Sequence, residues 1–555
     1  MTSDIAGNGG VPAAVLAALA CFALDPPSSP GQTVVTIDAD GVPVVNGERT
    51  FLYGAYRDPS DIPGIFTGLN EAQFNLVHSY FFEQFPVQTE TQKDAWIAQA
   101  STFLDIAESH DKGVFLGLPR GLIIDNPNSA WLAEMVSAVK DKPALFFWQL
   151  YDEPSNVTFN NSVNLMKLQD AYGTIKAADA NHPVQVVDFF RLHEVDTYSD
   201  IISMELYPIR ADNIVTINDD EAGLMRSLRD LASGRGQAPN SPFTTTLQGH
   251  DYRISRAISQ NALDQIDIDG TTYRPNPDEI RAQAHLAIAL GLYTPTYFWN
   301  DSSAYDLQSE APEIWQAFVD LGAELNGLGE AIVSAEPVPP IGITPVLSPS
   351  QATNTPSDVD IISWSRMSDG ELFVSLLNPG DWSFDNDVID VEIDLPLDGF
   401  DSVTLFQGDM LLNRVGGTWQ LDPAADGITV LDFDGQTLLV RTDYAETLVF
   451  HLTPQLIPGD FDNSGEVGLN DLNLVLFNWN VAAESIPPEW VNDRPVGTVD
   501  ISNLNQVLFN WNTNTAATLS LPEPSTPMLP WVQGILAGWL LKSGHRRVAR
   551  FVPSA

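Results

Sequence analysis

The chain has one cysteine, Cys21, in 555 residues. It cannot close an internal disulfide, so any placement outside the cell has to be argued from targeting segments and not from cysteine pairing. Basic residues are also scarce: 26 Lys plus Arg stand against 73 Asp plus Glu, a formal net charge of −47. Such a surface repels a polyphosphate backbone, which argues against nucleic acid as a partner. No His-x-x-x-His pair or cysteine pair is present for a catalytic zinc, and no glycine-rich loop for nucleotide phosphates. Neither of the two apolar runs, one near each end, reaches the roughly twenty residues of an ordinary membrane span.

What is present is enough to fold. Hydrophobic residues make up 44% of the chain and aromatics 10%, with 39 Pro and 38 Gly spread along it, and the length implies roughly three to four folded units. The N-terminal run Val11 to Leu24 has the length of a signal-peptide core, although Asp4 and the lack of Lys or Arg in residues 1 to 10 leave out the usual positive lead. A packed N-terminal helix is the competing reading. At the other end Leu521-Pro522-Glu523-Pro524-Ser525-Thr526 precedes an apolar run from Met528 to Leu541 and a basic tail with Lys542, Arg546, Arg547 and Arg550. That order resembles the PEP-CTERM sorting signal of bacterial exported proteins. The resemblance implies transient inner-membrane anchoring, positive end inside, followed by cleavage by an exosortase-type protease. The expected destination is extracellular or the cell surface.

Residues 465 to 480 and 497 to 512 are copies of one another, both ending in Leu-Phe-Asn-Trp-Asn. In the first copy Asp460, Asp462, Ser464, the main chain of Glu466, and Asp471 occupy positions 1, 3, 5, 7 and 12 of a loop, with Gly465 at position 6. Oxygen ligands on one wrapping loop, with glycine at the sharp turn, are what calcium needs. The second copy has Asn492, Arg494, Val496 and Asn503 at four of these places, so that loop is either empty or uses a shifted set including Asp493 and Asp500. Residues 456–514 resemble a dockerin type I domain, which implies structural calcium and a cohesin-type protein partner.

From Thr50 to about Ser334 short apolar strands alternate with longer amphipathic stretches, the pattern of a parallel sheet with crossover helices. Eight strands are expected: Phe51 to Tyr56, Asn75 to Tyr80, Gly113 to Leu118, Leu145 to Tyr151, Val184 to Phe189, Ile201 to Tyr207, Phe243 to Gln248, and Thr296 to Asn300. Eight close into a (β/α)8 TIM barrel over residues 41–334, with function at the C-terminal strand ends. Residues 336 to 358 read as a connector, and 340–454 as a small antiparallel β-sandwich, for packing or glycan binding.

The strand ends carry carboxylates among aromatics: Tyr151-Asp152-Glu153-Pro154 after strand four, Glu205-Leu206-Tyr207-Pro208 after strand six, Gln248-Gly249-His250-Asp251 after strand seven, and Phe298-Trp299 in strand eight. Aromatic faces stack on sugar rings, and acids protonate a glycosidic oxygen and stabilise an oxocarbenium-like transition state. These motifs resemble the clan of barrel glycoside hydrolases whose acid/base glutamate ends strand four and whose nucleophilic glutamate ends strand seven. The resemblance implies Glu153 as proton donor, Asp152 in place of the asparagine that holds the sugar 2-hydroxyl, and Trp299 as sugar platform. Gln248 stands where the nucleophile belongs, and an amide cannot serve. Three readings stay open: Asp251 serves instead; Glu205 is the second carboxylate, for which an inverting separation is conceivable; or the barrel binds glycans without cleaving them. Glu205 could instead sit in a structural ion pair with Arg57 or Arg210. Arg57, His78, Tyr207 and His250 complete the candidate substrate contacts, and the expected substrate is a poly- or oligosaccharide.

Overall fold

The computed structural model describes residues 32–56, 62–158, 161–188, 191–207, 224–239, 241–249, 275–298, 307–346, 361–379, 388–455 and 458–511, the last two with short interruptions. The two terminal targeting segments, Arg57, Arg210, His250, Asp251, Trp299, Ser464, Glu466, Asn492, Asp493, Arg494 and Val496 lie outside the described residues. Among the described residues no helix is long and apolar enough to cross a membrane.

Eight parallel strands close into a barrel in chain order: β1 (Gly54–Tyr56), β2 (Leu76–His78), β3 (Gly113–Gly117), β4 (Leu145–Asp152), β5 (Val184–Val187), β6 (Ile201–Leu206), β7 (Phe243–Gln248) and β8 (Pro295–Phe298). Each lies within a segment expected from the sequence or overlaps it to within one residue. The strands are buried almost throughout, hence the largely apolar runs of β3, β4 and β5, while β7 carries three buried threonines, of which Thr245 Oγ1 donates to Met204 O at 3.1 Å. Tyr56, Leu76, Phe115, Phe147, Val187 and Ile201 pack together in one cluster, while Ala55, Val77, Leu116, Trp148, Leu206, Leu247 and Tyr297 join the larger core that includes the helices. This alternation separates an inner from an outer layer.

Residues 35–49 form a small antiparallel sheet. It is tied to segments that lead into barrel strands, with Val35 N–H donating to Asn181 O and Thr33 Oγ1 to Pro143 O. The barrel is therefore stoppered at its N-terminal end, and the mouth is the opposite end.

Ten antiparallel strands follow: β9 (Gly342–Val346), β10 (Ile362–Ser368), β11 (Glu371–Leu377), β12 (Val388–Asp394), β13 (Phe400–Leu405), β14 (Met410–Val415), β15 (Thr418–Leu421), β16 (Val430–Phe433), β17 (Thr437–Asp443) and β18 (Thr447–Pro454). They form a four-stranded sheet, β9-β12-β17-β16, and a six-stranded sheet, β10-β11-β18-β13-β14-β15, which share an apolar core from Leu372 to Leu452. The expected connector is shorter than its sequence implies, because Gly342–Val346 is a strand. Its Pro345 fits there since β9 lies at a sheet edge, where a missing N–H breaks no ladder.

The sandwich is seated on the barrel. Trp364, Phe373 and Val449 belong to the barrel's own hydrophobic core. Arg281 grips Glu324 with two bonds of 2.6 and 2.7 Å and also donates to Thr447 O. Buried His285 stands 3.2 Å from Glu324 and receives Trp364 Nε1–H at 3.3 Å. Beyond the sandwich, the duplicated segments form two helices, Leu469–Phe477 and Ile501–Phe509, over a small core of Phe461, Val475, Trp490 and Val507.

The long helix Pro312–Val333 lies so close to the turn after residue 71 that a Cβ on Gly322 would fall 2.0 Å from Ala72 O. Since that neighbour is main chain and cannot swing aside, Gly322→Ala is expected to destabilise the barrel by about 2–4 kcal/mol, read as a lowered urea midpoint.

Candidate active site

The site is organised by the end of β4. Its register against β5 shifts between Gln149 and Tyr151, an irregularity that re-aims the last side chains of a strand. Glu153 then turns the corner with φ +49°, a left-handed conformation that costs a non-glycine residue about 1–2 kcal/mol. Two contacts hold it there. Glu153 N–H donates to Val187 O at 2.8 Å, extending the ladder to β5, and Ser155 N–H donates to the fully buried Asp188 carboxylate at 2.8 Å. Asp188, at the end of β5, is thus an anchor of the corner that sequence reading missed. Glu153 Oε2 accepts from Asn156 Nδ2 at 2.7 Å.

Asp152 points into a chain of charges. Arg120, on the loop after β3, donates from Nη2 to Asp152 Oδ2 at 2.8 Å and from Nε to Glu83 Oε2 at 3.0 Å, with its guanidinium 5.2 Å from the Tyr151 ring centre. Glu83 is fully buried, and Gly117 makes room for it: a Cβ there would meet Glu83 Cγ at 2.4 Å. His78 Nδ1 donates to Phe115 O at 2.9 Å and its Nε2 lies 2.9 Å from Glu83 Oε1, off the hydrogen-bonding axis. A π-helical turn, Gly121–Asp125, follows Arg120 immediately; such turns recur at functional sites.

Glu205, the inward residue near the end of β6, completes the cluster. It accepts from Tyr207 Oη at 3.3 Å. Burial, then the charges of Asp152 and Glu153, hold its carboxyl well above the usual range. Burial and the nearby Glu83 push Asp152 up to about 7, against the pull of Arg120. Tyr56, Tyr80 and Tyr207 are kept protonated by burial and by these carboxylates, so their hydroxyls are donors. Tyr56 donates to Asp152 Oδ1 at 3.4 Å and accepts from Gln149 Nε2 at 3.2 Å. Tyr56 and Tyr80 stand 4.7 Å apart edge to face, and His78, Phe115 and Phe298 pack round Tyr56 to make an aromatic floor.

The structure therefore brings together Asp152, Glu153, Glu205, Tyr207 and, through Glu83, His78. Gln248 is fully buried at the end of β7, its N–H donating to Gln283 Oε1 at 3.0 Å and its carbonyl accepting from Gln283 Nε2 at 3.1 Å. Glu83, Arg120, Tyr56, Tyr80 and Gln149 were missed. The signals for them were a charge after strand three, an acid among the apolar residues of Phe81-Phe82-Glu83, and a glycine closing a strand. Three neighbouring carboxyls beside three phenols can deliver a proton and stabilise developing positive charge.

No protein-family model matches this chain, and no curated protein sequence matches it. Several solved structures align with part of it. A β-galactosidase from Bacillus circulans sp. alkalophilus aligns with TM-score 0.39 and 11% identity over 52% of this chain and 57% of that one. An α-amylase from Geobacillus thermoleovorans aligns with TM-score 0.42 and 12% identity over 74% and 100%. A family 39 glycoside hydrolase from Bacteroides cellulosilyticus WH2 gives 0.40 and 10% over 76% and 82%. Likenesses at this level carry no argument about chemistry, and the first of these alignments spans little more than half of the β-galactosidase.

Asp152 holds its proton to about pH 7 when folded but only to about pH 4 when unfolded. Its contribution to stability is therefore greatest at low pH and is lost as pH rises from about 4 to about 7. Asp152→Asn removes that loss. The stability of the variant relative to the parent should climb across this window and level off above it, measured by denaturant unfolding at a series of pH values.

Proposed function

We propose that the barrel is a glycoside hydrolase of poly- or oligosaccharides, with Glu153 as proton donor and Glu205 as the second carboxylate. The observation that carries this reading is the gathering of Glu153 and Glu205 with Asp152 at the barrel mouth, close enough for their charges to act on one another, over an aromatic floor. Glu153 protonates the glycosidic oxygen, and the Glu205 carboxylate either activates a water or attacks the anomeric carbon itself, the glycosyl-enzyme then being released by water. Because burial holds the Glu205 carboxyl well above the usual range, activity is expected to rise with pH beyond that range as this carboxylate forms. Asp152 accepts a sugar hydroxyl, and Tyr207 steadies Glu205. Reducing-sugar release from a polysaccharide panel is expected for the parent and should fall at least about a thousandfold in Glu153→Gln and in Glu205→Gln. Glycan binding without release would support the second reading, a glycan-binding barrel, which the buried amide of Gln248 favours.

Beside the barrel, we propose that Asp460, Asp462 and Asp471, with Ser464 and the main chain of Glu466, hold a structural calcium. Oxygens of the three aspartates lie within 4.8 Å of one another. Burial raises Asp471, a penalty that a cation would offset. Asp471 also gathers the loop by accepting from the N–H groups of Phe461, Asp462 and Gly468 at 2.6, 3.2 and 2.8 Å. In the second copy Asp500 instead caps its helix, accepting from Ser502 N–H at 2.8 Å. Calcium is expected to raise the unfolding temperature of the helix pair, and chelation to lower it, with Asp462→Ala abolishing both shifts. Phe477 and Phe509, 82% and 84% exposed at equivalent positions, support a cohesin-type protein partner. Export and exosortase-type processing rest on the two terminal segments of the sequence.

A further inference from the structure

We infer that the barrel mouth takes uncharged or amine-bearing glycans and rejects carboxylated and sulfated ones; this rests on the glycan reading of the site. Glu83 and Asp152 share Arg120, Glu153 follows Asp152 in the chain, and Glu205 lies near enough for the charges of Asp152 and Glu153 to raise its carboxyl. An acidic substituent on a sugar needs a cation or a fork of free N–H groups. The arginines on the described mouth loops are committed elsewhere. Arg120 is divided between Glu83 and Asp152, and Arg191, after β5, is paired with Glu194. Burial first, and then the charge of Glu83, raise the Asp152 carboxyl.

Residues 57–61, 208–223, 250–274 and 299–306, which follow β1, β6, β7 and β8 in the sequence, contain twelve acidic residues against five arginines and no lysine. An anionic glycan meets repulsion from the carboxyl cluster, whereas an ammonium group is attracted to it. The determinant is local. Glu83 does not touch the proposed reacting pair, yet it holds one arm of the only guanidinium bonded to Asp152 among the described residues.

The test is retardation of the full chain in native gels containing neutral β-glucan, chitosan, polygalacturonate or carrageenan at 0.15 M salt, together with the double variant Glu83→Gln, Asp152→Asn. Retardation by β-glucan or chitosan and not by the two polyanions is expected for the parent. The double variant frees Arg120 and removes two charges, so it should gain about tenfold in affinity for galacturonate oligosaccharides. Binding of the parent to polygalacturonate or carrageenan would overturn the inference while leaving the glycan reading intact. If the parent rejects polyanions and the double variant gains nothing, exclusion comes from the bulk charge of the chain, and the assignment to the mouth fails. Retardation by none of the four would remove the glycan reading and the inference together.

Discussion

The arrangement at the barrel mouth depends on one guanidinium. Arg120 spans from Glu83 to Asp152, with bonds of 3.0 and 2.8 Å, and so joins the segment after β2, the loop after β3 and the end of β4. Two buried acids this close to one another would not both ionise in an apolar setting without it. With it, Asp152 titrates near neutrality instead of far above, and the neighbouring Glu153 is presented beside a group whose charge is adjustable. The aromatic floor completes this setting. Tyr56, Tyr80 and Phe115 line it with rings, and the two tyrosines supply hydroxyls that burial keeps protonated.

Glu153 shows how backbone and chemistry are linked. A residue before proline in a left-handed conformation is doubly disfavoured. It persists because Val187 O and the Asp188 carboxylate hold the chain on either side of it. Stability is given up at this corner, and the acid faces the mouth in return.

The barrel was legible because its strands are buried on both faces and most of them read as apolar runs between helical stretches, so all eight were located from β1 to β8. Strands of the sandwich that carry polar residues, such as Thr418–Leu421, or a proline, as in Gly342–Val346, did not stand out from loop sequence. At the site, acids at strand ends were visible because the topology sends every strand end to one face. The partners of those acids were not. Arg120 and Glu83 come from separate loops, and nothing in their local sequence announces that 37 residues of chain bring them into contact. Asp188 looked like any acid closing a strand until its bond to Ser155 placed it.

The seam between barrel and sandwich has a consequence for ancestry. The bidentate Arg281–Glu324 bridge, the buried His285 and the indole of Trp364 interlock residues from both units, and Phe373 and Val449 belong to the barrel's own core. A recombination event that cut near residue 336 would strand a tryptophan and a charged network in water on one side and leave an oily scar on the other. The interlock favours passing the two units on as a single block, whereas the helix pair beyond has a core of its own and could be joined elsewhere without such a scar.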